Sequence, residues 1–514
     1  MTDLGHPNMF DRRSLLEEEE DRLVEALSTV RSRLNELAPI SSLPPEIFEE
    51  IFDICVSWLY GYQKPKHRLA WSQVCSSWRR ISFSSSRLWQ RIDLCNSRFA
   101  DEFLVRSKHA PLFITSTSPL KLTTNNLTDH AKRLQSIDVF LFPDDMAQLF
   151  SSIGRDLPTL TTLSLKIPPV SSTLSLDLSL PQVRRLSLDG VAIRWDDCRN
   201  LASLSLRGLT PESSPSIPQL HDILAASPHL QYIRLESLLS PTLDVVPRRN
   251  IPLMNLKDFI ISSKPSSIRA ILSGIYLGPH TRLQLYLSLS ENLQTVFPHG
   301  LPYLPSSNFG STRNSLDVGT IRLSRHGAHF LRPNTAAWSE DTSKVLFALS
   351  SASPLSTHVC ESLNHMLDLR LIKNLELNTG VLLDIPRPAL ENLFKDLYNV
   401  ETLRMAFNDL ESLFSVLQIV EELTGIPYLP HLTAVTFSKP SDLWWHFGDR
   451  WMEAILETLT LRQAHSIPIE TLEFFRCHGL SETIVEELEK IVPRIIVREQ
   501  AGKRSPSDFY RVDR

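Results

Sequence analysis

The sequence predicts an α/β chain in which a short helical segment leads into a long array of strand–helix units on a parallel β-sheet. Three observations predict it. A pattern of apolar-x-x-apolar-x-apolar recurs along much of the 514 residues. Amphipathic helical stretches fall between its copies. Ahead of the first copy lies an aromatic-rich stretch, 41–89, whose apolar residues recur at helical spacing.

Composition narrows the class. The chain is 42% hydrophobic and 22% charged, with a net charge of −5. Nucleic-acid binders concentrate basic residues on one face, and no Lys/Arg run here supplies that field, so no nucleic-acid partner is expected. No apolar run approaches the ~20 residues a membrane helix needs. Residues before Phe10 lack the basic and apolar regions of a secretory signal. Cys55, Cys75, Cys95, Cys198, Cys360 and Cys477 are scattered singly, with no C-x-x-C pair. Disulfide frameworks and zinc sites show paired spacing. Buried free thiols in a reducing compartment are therefore expected, in cytoplasm or nucleus.

The order along the chain follows from pattern. Residues 1–13 read as a disordered N-terminus and 14–38 as an amphipathic, coiled-coil-like helix. Leu16, Leu23, Leu27, Val30, Leu34 and Leu37 recur there at steps of three and four once past Leu23, and Glu20 breaks the seam. Such a helix packs on its own chain or associates with a second copy. Residues 39–93 form the helical docking segment, 94–498 the repeat array, and 499–514 a flexible tail.

The array is carried by its copies. Leu-Thr-Thr-Leu-Ser-Leu at 160–165 is followed by copies at 183–188, 201–206, 230–235 and 256–261, and later by 372–377, 400–405, 432–437 and 469–474. The last two apolar positions of each alternate with polar ones and face one side of a strand. Helices are predicted at 219–226, 359–369, 389–397 and 410–423. The spacing resembles leucine-rich repeats, in which each unit buries its apolar face only by stacking on neighbours; an ordinary α/β domain with a parallel sheet is the alternative. Between 298 and 355 the pattern is irregular. Thr320-Ile-Arg-Leu-Ser and Lys344-Val-Leu-Phe-Ala-Leu read as strands of a local hairpin or insertion.

The docking segment starts Leu43-Pro44-Pro45-Glu46. Proline is tolerated in a first helical turn, and an acidic residue there complements the helix dipole. Ile47, Phe48, Ile51, Phe52 and Cys55 follow at helical spacing, and a second helix is expected to carry Val74, Cys75, Trp78 and Ile81. So short a segment buries too little surface to be strongly stable alone. Its aromatics therefore pack on the following array as a cap, or on a partner.

Leu43-Pro44, Glu46-Ile47, Ile51-Phe52, Val74-Cys75-Ser-Ser-Trp78-Arg79 and Leu88-Trp89, in this order, resemble the F-box pattern. The match is to fungal F-box proteins with a leucine-rich C-terminal half, and its F-box part covers about a tenth of the chain. The connection 57–68, with Trp58, Tyr60 and Tyr62, is longer than the pattern's. The resemblance implies a substrate receptor of an SCF-type cullin–RING ubiquitin ligase. A Skp-type adaptor, and cullin through it, would be bound by Leu43, Pro44, Ile47, Ile51, Phe52, Val74, Cys75, Trp78, Leu88 and Trp89. The repeats would hold an unknown target protein. A non-degradative scaffold that binds the same adaptor is the other function it allows.

Motifs for catalysis are missing. There is no G-x-x-x-x-G-K-[ST], H-E-x-x-H or G-x-S-x-G, and neither cofactor nor metal is expected. His326 and His329 lack an acidic or cysteine companion, and His358, Cys360 and His365 sit in helical, apolar surroundings that favour packing over catalysis. Trp444, Trp445 and Trp451 are candidate target-binding aromatics, with a closing cap on the array as the alternative.

Overall fold

A computed structural model describes residues 9–58, 65–95, 97–116, 127–169, 173–236, 250–286, 297, 301–302, 318, 320–324, 327–331, 345–350, 363, 366–377, 387–406, 410–421, 425–438, 449–475 and 482–498. The chain divides into two compact units: 1–168 with 176–182, and 169–175 with 183–514.

The first unit opens on a helix, Met9–Glu36, which begins inside the stretch expected to be disordered. Its apolar seam is not packed on the described residues of the chain. Leu16, Leu23, Leu27, Val30, Leu34 and Leu37 are between 49% and 81% exposed. A short 3-10 turn, Pro39–Ser42, leads to the helix Pro45–Trp58, and a 3-10 stretch, Pro65–Gln73, to the helix Ser76–Ser84. Val74 and Cys75 therefore precede the second helix rather than lying on it. Beyond a last 3-10 turn, Ser86–Trp89, a parallel ladder begins. It joins Arg91–Asp93, Leu112–Ser116, Leu134–Phe140 and Thr162–Lys166 in sequence order. Leu134-Gln-Ser-Ile-Asp-Val obeys the six-residue pattern but hides among Ile and Val. Arg133 holds the crossover before it, donating to Ser107 Oγ at 2.9 Å and to the carbonyls of Ala110 and Leu104. A cation so placed complements the C-terminal end of helix Ser97–Arg106.

In the second unit the ladder runs in parallel through Arg185–Asp189, Ser203–Arg207, Tyr232–Glu236, Asp258–Ser262 and Arg282–Tyr286. The register stacks one inner position of each strand: Leu204 on Ile233, Phe259 and Leu283. All four are fully buried, and each such side chain contributes roughly 1.5–3 kcal/mol. The helices Ile217–Ala225 and Pro265–Leu272 turn buried apolar residues into the same core. Ser216 and Gln219 form a capping box that fixes where the first of these helices starts.

The irregular stretch is an antiparallel insertion. Val345–Ser350 pairs in parallel with Arg282–Tyr286, Gly327–Leu331 pairs antiparallel with it, and Thr320–Ser324 pairs antiparallel with Gly327–Leu331. Two reversals restore the original direction, so Thr320–Ser324 pairs in parallel with Asn374–Leu377. The parallel ladder then continues through Thr402–Ala406, Ala434–Ser438, Thr471–Phe475 and Arg494–Arg498.

Two details repeat from strand to strand. The carbonyl just before one strand accepts the amide that starts the next: Gln231 from Lys257, Lys257 from Arg282, Lys373 from Glu401, and Glu401 from Thr433. Short polar side chains brace the turns, as Thr159 does at the Lys132 carbonyl, Asn255 at Pro228 and Asn399 at Arg370. The helix expected over 410–423 is shorter, Leu410–Leu417. Val420 bridges back to Pro427 instead, with Gly425 at φ +67° between them. Of the helix expected at 359–369, only Leu363 and Met366 are described as α-helical, Leu369 opens a 3-10 turn, Leu369–Leu371, and 499–514 lies outside the described residues.

Candidate docking surface

Helix Pro45–Trp58 sorts its apolar residues onto two stripes. Phe48 and Phe52 point inward and are 3% and 2% exposed. Phe52 stacks on Trp71 at 5.8 Å, and Trp78 meets Phe48 edge-on at 5.4 Å. Aromatic pairs in such geometries add to simple burial. Ile47, Ile51 and Ile54 lie at i, i+4 and i+7, one face of a helix. Ile47 is 41% exposed, Ile54 is 56% exposed, and Ile51 is half-buried. Ile54 belongs to this stripe by spacing alone, three residues after Ile51, although no motif dipeptide marks it.

The entry to the helix is fixed by Pro44, whose carbonyl accepts the amides of Ile47 and Phe48. Pro44 is exposed and Leu43 half-buried beside it. On the second helix the cysteine of the Val-Cys-x-x-Trp-Arg motif is the N-cap, its sulfur accepting the Trp78 amide at 3.5 Å. Arg79 donates Nε to the Ser72 carbonyl at 2.8 Å and ties the 3-10 stretch to the helix. Val74, at the turn between them, is 58% exposed, while Cys75 and Trp78 are half-buried.

The remaining motif residues face inward. Leu88 and Trp89 are 6% and 2% exposed. The Trp89 indole N–H donates to the Ser82 carbonyl at 2.7 Å, and its ring meets Phe103 edge-on at 4.9 Å. The Arg106 guanidinium covers its face at 4.6 Å and that of Phe83 at 4.3 Å. Trp89 thus joins the helical segment to helix Ser97–Arg106. The ten motif residues divide accordingly. Leu43, Pro44, Ile47, Ile51, Val74, Cys75 and Trp78 reach the surface at least in part, and Phe52, Leu88 and Trp89 hold the segment together.

A second surface is the polar side of the ladder in the second unit. Positions alternating with the buried apolar ones carry paired charges: Arg207 with Glu236 at 2.7 Å, Arg282 with Asp258 and Arg498 with Glu473 at 2.9 Å; Arg404 pairs with Glu376 at 3.8 Å, but Glu376 is buried. Arg234 also donates to Glu236, which holds its guanidinium above the usual range against the opposing effect of burial. Side chains of this kind offer a target both donors and acceptors.

The expected aromatic contacts Trp444 and Trp445 lie outside the described residues, as do His326, His358, Cys360 and His365; Trp451 lies on helix Asp449–Ala464, its side chain outside them too. The free thiols are not uniformly buried: Cys198 is, Cys75 and Cys95 are half-buried, and Cys55 is exposed. Among the described residues no group of three or more metal-ligating side chains forms. No described helix is long and apolar enough to cross a membrane.

A family model described as F-box-like matches residues 40–95. No curated protein matches the chain. An F-box domain indicates, in general, an SCF-type adaptor role rather than an enzyme, and such domains typically bind Skp-type adaptors.

Proposed function

We propose that the chain is a substrate receptor of an SCF-type cullin–RING ubiquitin ligase, working in cytoplasm or nucleus. The observation that carries this is the stripe Ile47–Ile51–Ile54, with Pro44 and Val74, reaching the surface on a segment whose Phe48, Phe52, Trp71, Ile81, Leu88 and Trp89 are buried. Apolar surface gathered on one face of a small helical unit marks a protein contact. Leu43, Pro44, Ile47, Ile51, Val74, Cys75 and Trp78 meet the Skp-type adaptor in this reading. Phe52, Leu88 and Trp89 serve the same contact from inside, by holding the two helices in register.

The ladder is read as an irregular leucine-rich-repeat solenoid of the kind carried by fungal F-box proteins. Its support is the recurrent parallel strand, with its strand-to-strand carbonyl relay and braced turns. The paired charges on its polar side are the proposed target surface, with Trp444, Trp445 and Trp451 as further aromatic candidates. The receptor forms and breaks no bond itself. Holding a target lysine near a charged conjugating enzyme converts a bimolecular encounter into a local one.

The test is co-purification of Skp-type adaptor and cullin with the full chain and with a Leu43→Ala/Pro44→Ala variant. The variant is expected to lose both partners while its circular dichroism and melting stay those of the parent. Undiminished adaptor capture by a folded variant sinks the assignment. Adaptor captured without cullin by the unmodified chain would favour the scaffold role over the ligase.

A further inference from the structure

We propose that helix Met9–Glu36 is a dimerisation element that pairs antiparallel with the same helix of a second copy of this chain. The helix has 28 residues and spans about 40 Å. Its stripe residues follow a heptad, with Leu16, Leu23, Val30 and Leu37 at one core position and Glu20, Leu27 and Leu34 at the other. Every one of those leucines and the valine is exposed, so no described residue of the chain covers the seam.

Charge selects both the occupant and its direction. The N-terminal half carries an unbroken acidic run, Glu17 to Asp21, and the C-terminal half carries Arg31 and Arg33. A parallel pair in register would set Glu20 against Glu20 and Arg13 against Arg13 inside the seam. Like charges in contact there are unfavourable. Reversing one helix about a twofold axis near Glu25 removes both clashes. Leu23 then faces Leu27, Leu16 faces Leu34, and Glu20 lies beside Val30, where its carboxylate can reach water.

The flanking positions complete the match in that register. Glu19 comes beside Arg33 of the other copy and Glu17 beside Arg31, and symmetry repeats both pairs. At the twofold axis the flanks are Val24 against Val24 and Ala26 against Ala26, apolar or small. Glu17 also pairs with Arg13 on its own helix at 2.9 Å, but its side chain stays 61% exposed and open to a second cation. A second copy therefore satisfies the apolar seam and the charge asymmetry together. This pairing goes beyond the adaptor reading and needs no adaptor for its test.

The experiment uses the full chain and sedimentation velocity at micromolar protein. The unmodified chain is expected at twice the chain mass. Glu17→Arg/Glu19→Arg makes all four flanking contacts cation against cation, and Arg31→Glu/Arg33→Glu makes them anion against anion. Each variant alone is expected to be monomeric, with self-association weakened roughly a hundredfold or more. Mixed one to one, the two variants are expected to recover the dimer, now as a heterodimer. A monomeric unmodified chain overturns the proposal, because the seam then belongs to another occupant. So does a variant that still dimerises alone, or a mixture that stays monomeric while both variants keep the parent's helicity.

Discussion

At the scale of the residue, burial separates side chains that a motif lists together. Ile47 and Trp89 belong to the same sequence pattern, yet Ile47 is exposed and Trp89 is enclosed with its N–H spent on the Ser82 carbonyl. Ile47→Asp is accordingly expected to abolish adaptor capture with the melting temperature unchanged. Trp89→Ala is expected to cost about 3–5 kcal/mol of stability, read by denaturant unfolding. Equal loss of stability in both variants would show that the stripe is core after all. Cys198 gives a pH prediction. Burial, with Asp197 and Asp196 nearby, pushes its thiol up from 9.0 to about 12. The folded chain keeps a proton that the unfolded chain gives up, so this site leaves stability unchanged below pH 9 and erodes it between about 9 and 12. Cys198→Ala should remove that part of the alkaline slope, at most roughly 1.4 kcal/mol per pH unit. The same thiol should resist alkylation at mildly alkaline pH while Cys55 reacts, which peptide mapping would show. Arg462 is fully buried, and burial alone lowers it to about 10. It donates to the carbonyls of Tyr428, Leu429 and Leu432, and Leu429 holds a left-handed φ of +55°. Arg462→Met strips donors from a strained turn and is expected to destabilise by about 2–3 kcal/mol, measured by chemical unfolding.

At the scale of the element, legibility depended on whether one period dominated. Each Leu-rich copy of the six-residue pattern became a strand, from Thr162–Lys166 to Thr471–Phe475, because alternating burial is dictated by the pleat whatever the neighbours do. Strands without the leading apolar residue in its place were harder. Arg282–Tyr286 has His280 where the pattern wants an aliphatic residue, and Leu112–Ser116 sets Leu112 and Ile114 two apart instead of three, with a register shift after Leu112. Helix ends were hidden for a different reason. Leu410–Leu417 stops short of the apolar period because the Val420–Pro427 bridge competes with further helix. In the docking segment the same spacing that predicted one apolar face concealed two. Phe48 and Phe52 form the inner stripe and Ile47, Ile51 and Ile54 the outer one. Adjacent stripes of a helix look alike in sequence, and only the position of Trp71 and Trp78 settles which is covered. Capping is legible and testable: Ser216 reciprocates with Gln219 at the start of Ile217–Ala225. Ser216→Ala should cost about 1 kcal/mol, and a loss indistinguishable from zero in thermal unfolding would count against the capping box.

At the scale of the whole molecule, the two surfaces lie on segments with different physics, and that difference can be used to separate them. The docking stripe is apolar and small, so its contact depends on excluding water from a few isoleucines and a proline. The polar side of the ladder is built from Arg–carboxylate pairs such as Arg207 with Glu236 and Arg498 with Glu473, the latter side chains 60% and 16% exposed. Contacts of the first kind are insensitive to salt, while those between partly exposed charges weaken as ionic strength rises. A receptor that joins machinery through one and a target through the other should therefore release them in order. With the full chain immobilised, rising salt is expected to elute the bound target first and leave the Skp-type adaptor in place. Substitution should reproduce the split. Ile47→Asp should release the adaptor and keep the target, whereas Arg207→Glu with Arg498→Glu should do the reverse. Each such change sets a second carboxylate beside its partner at a partly exposed site, where the stability cost is small, and Glu236 keeps its bond from Arg234, so the folded state survives to report. Loss of both partners from either variant would mean that a single surface serves them, and the division of labour drawn from the two chemistries would fall.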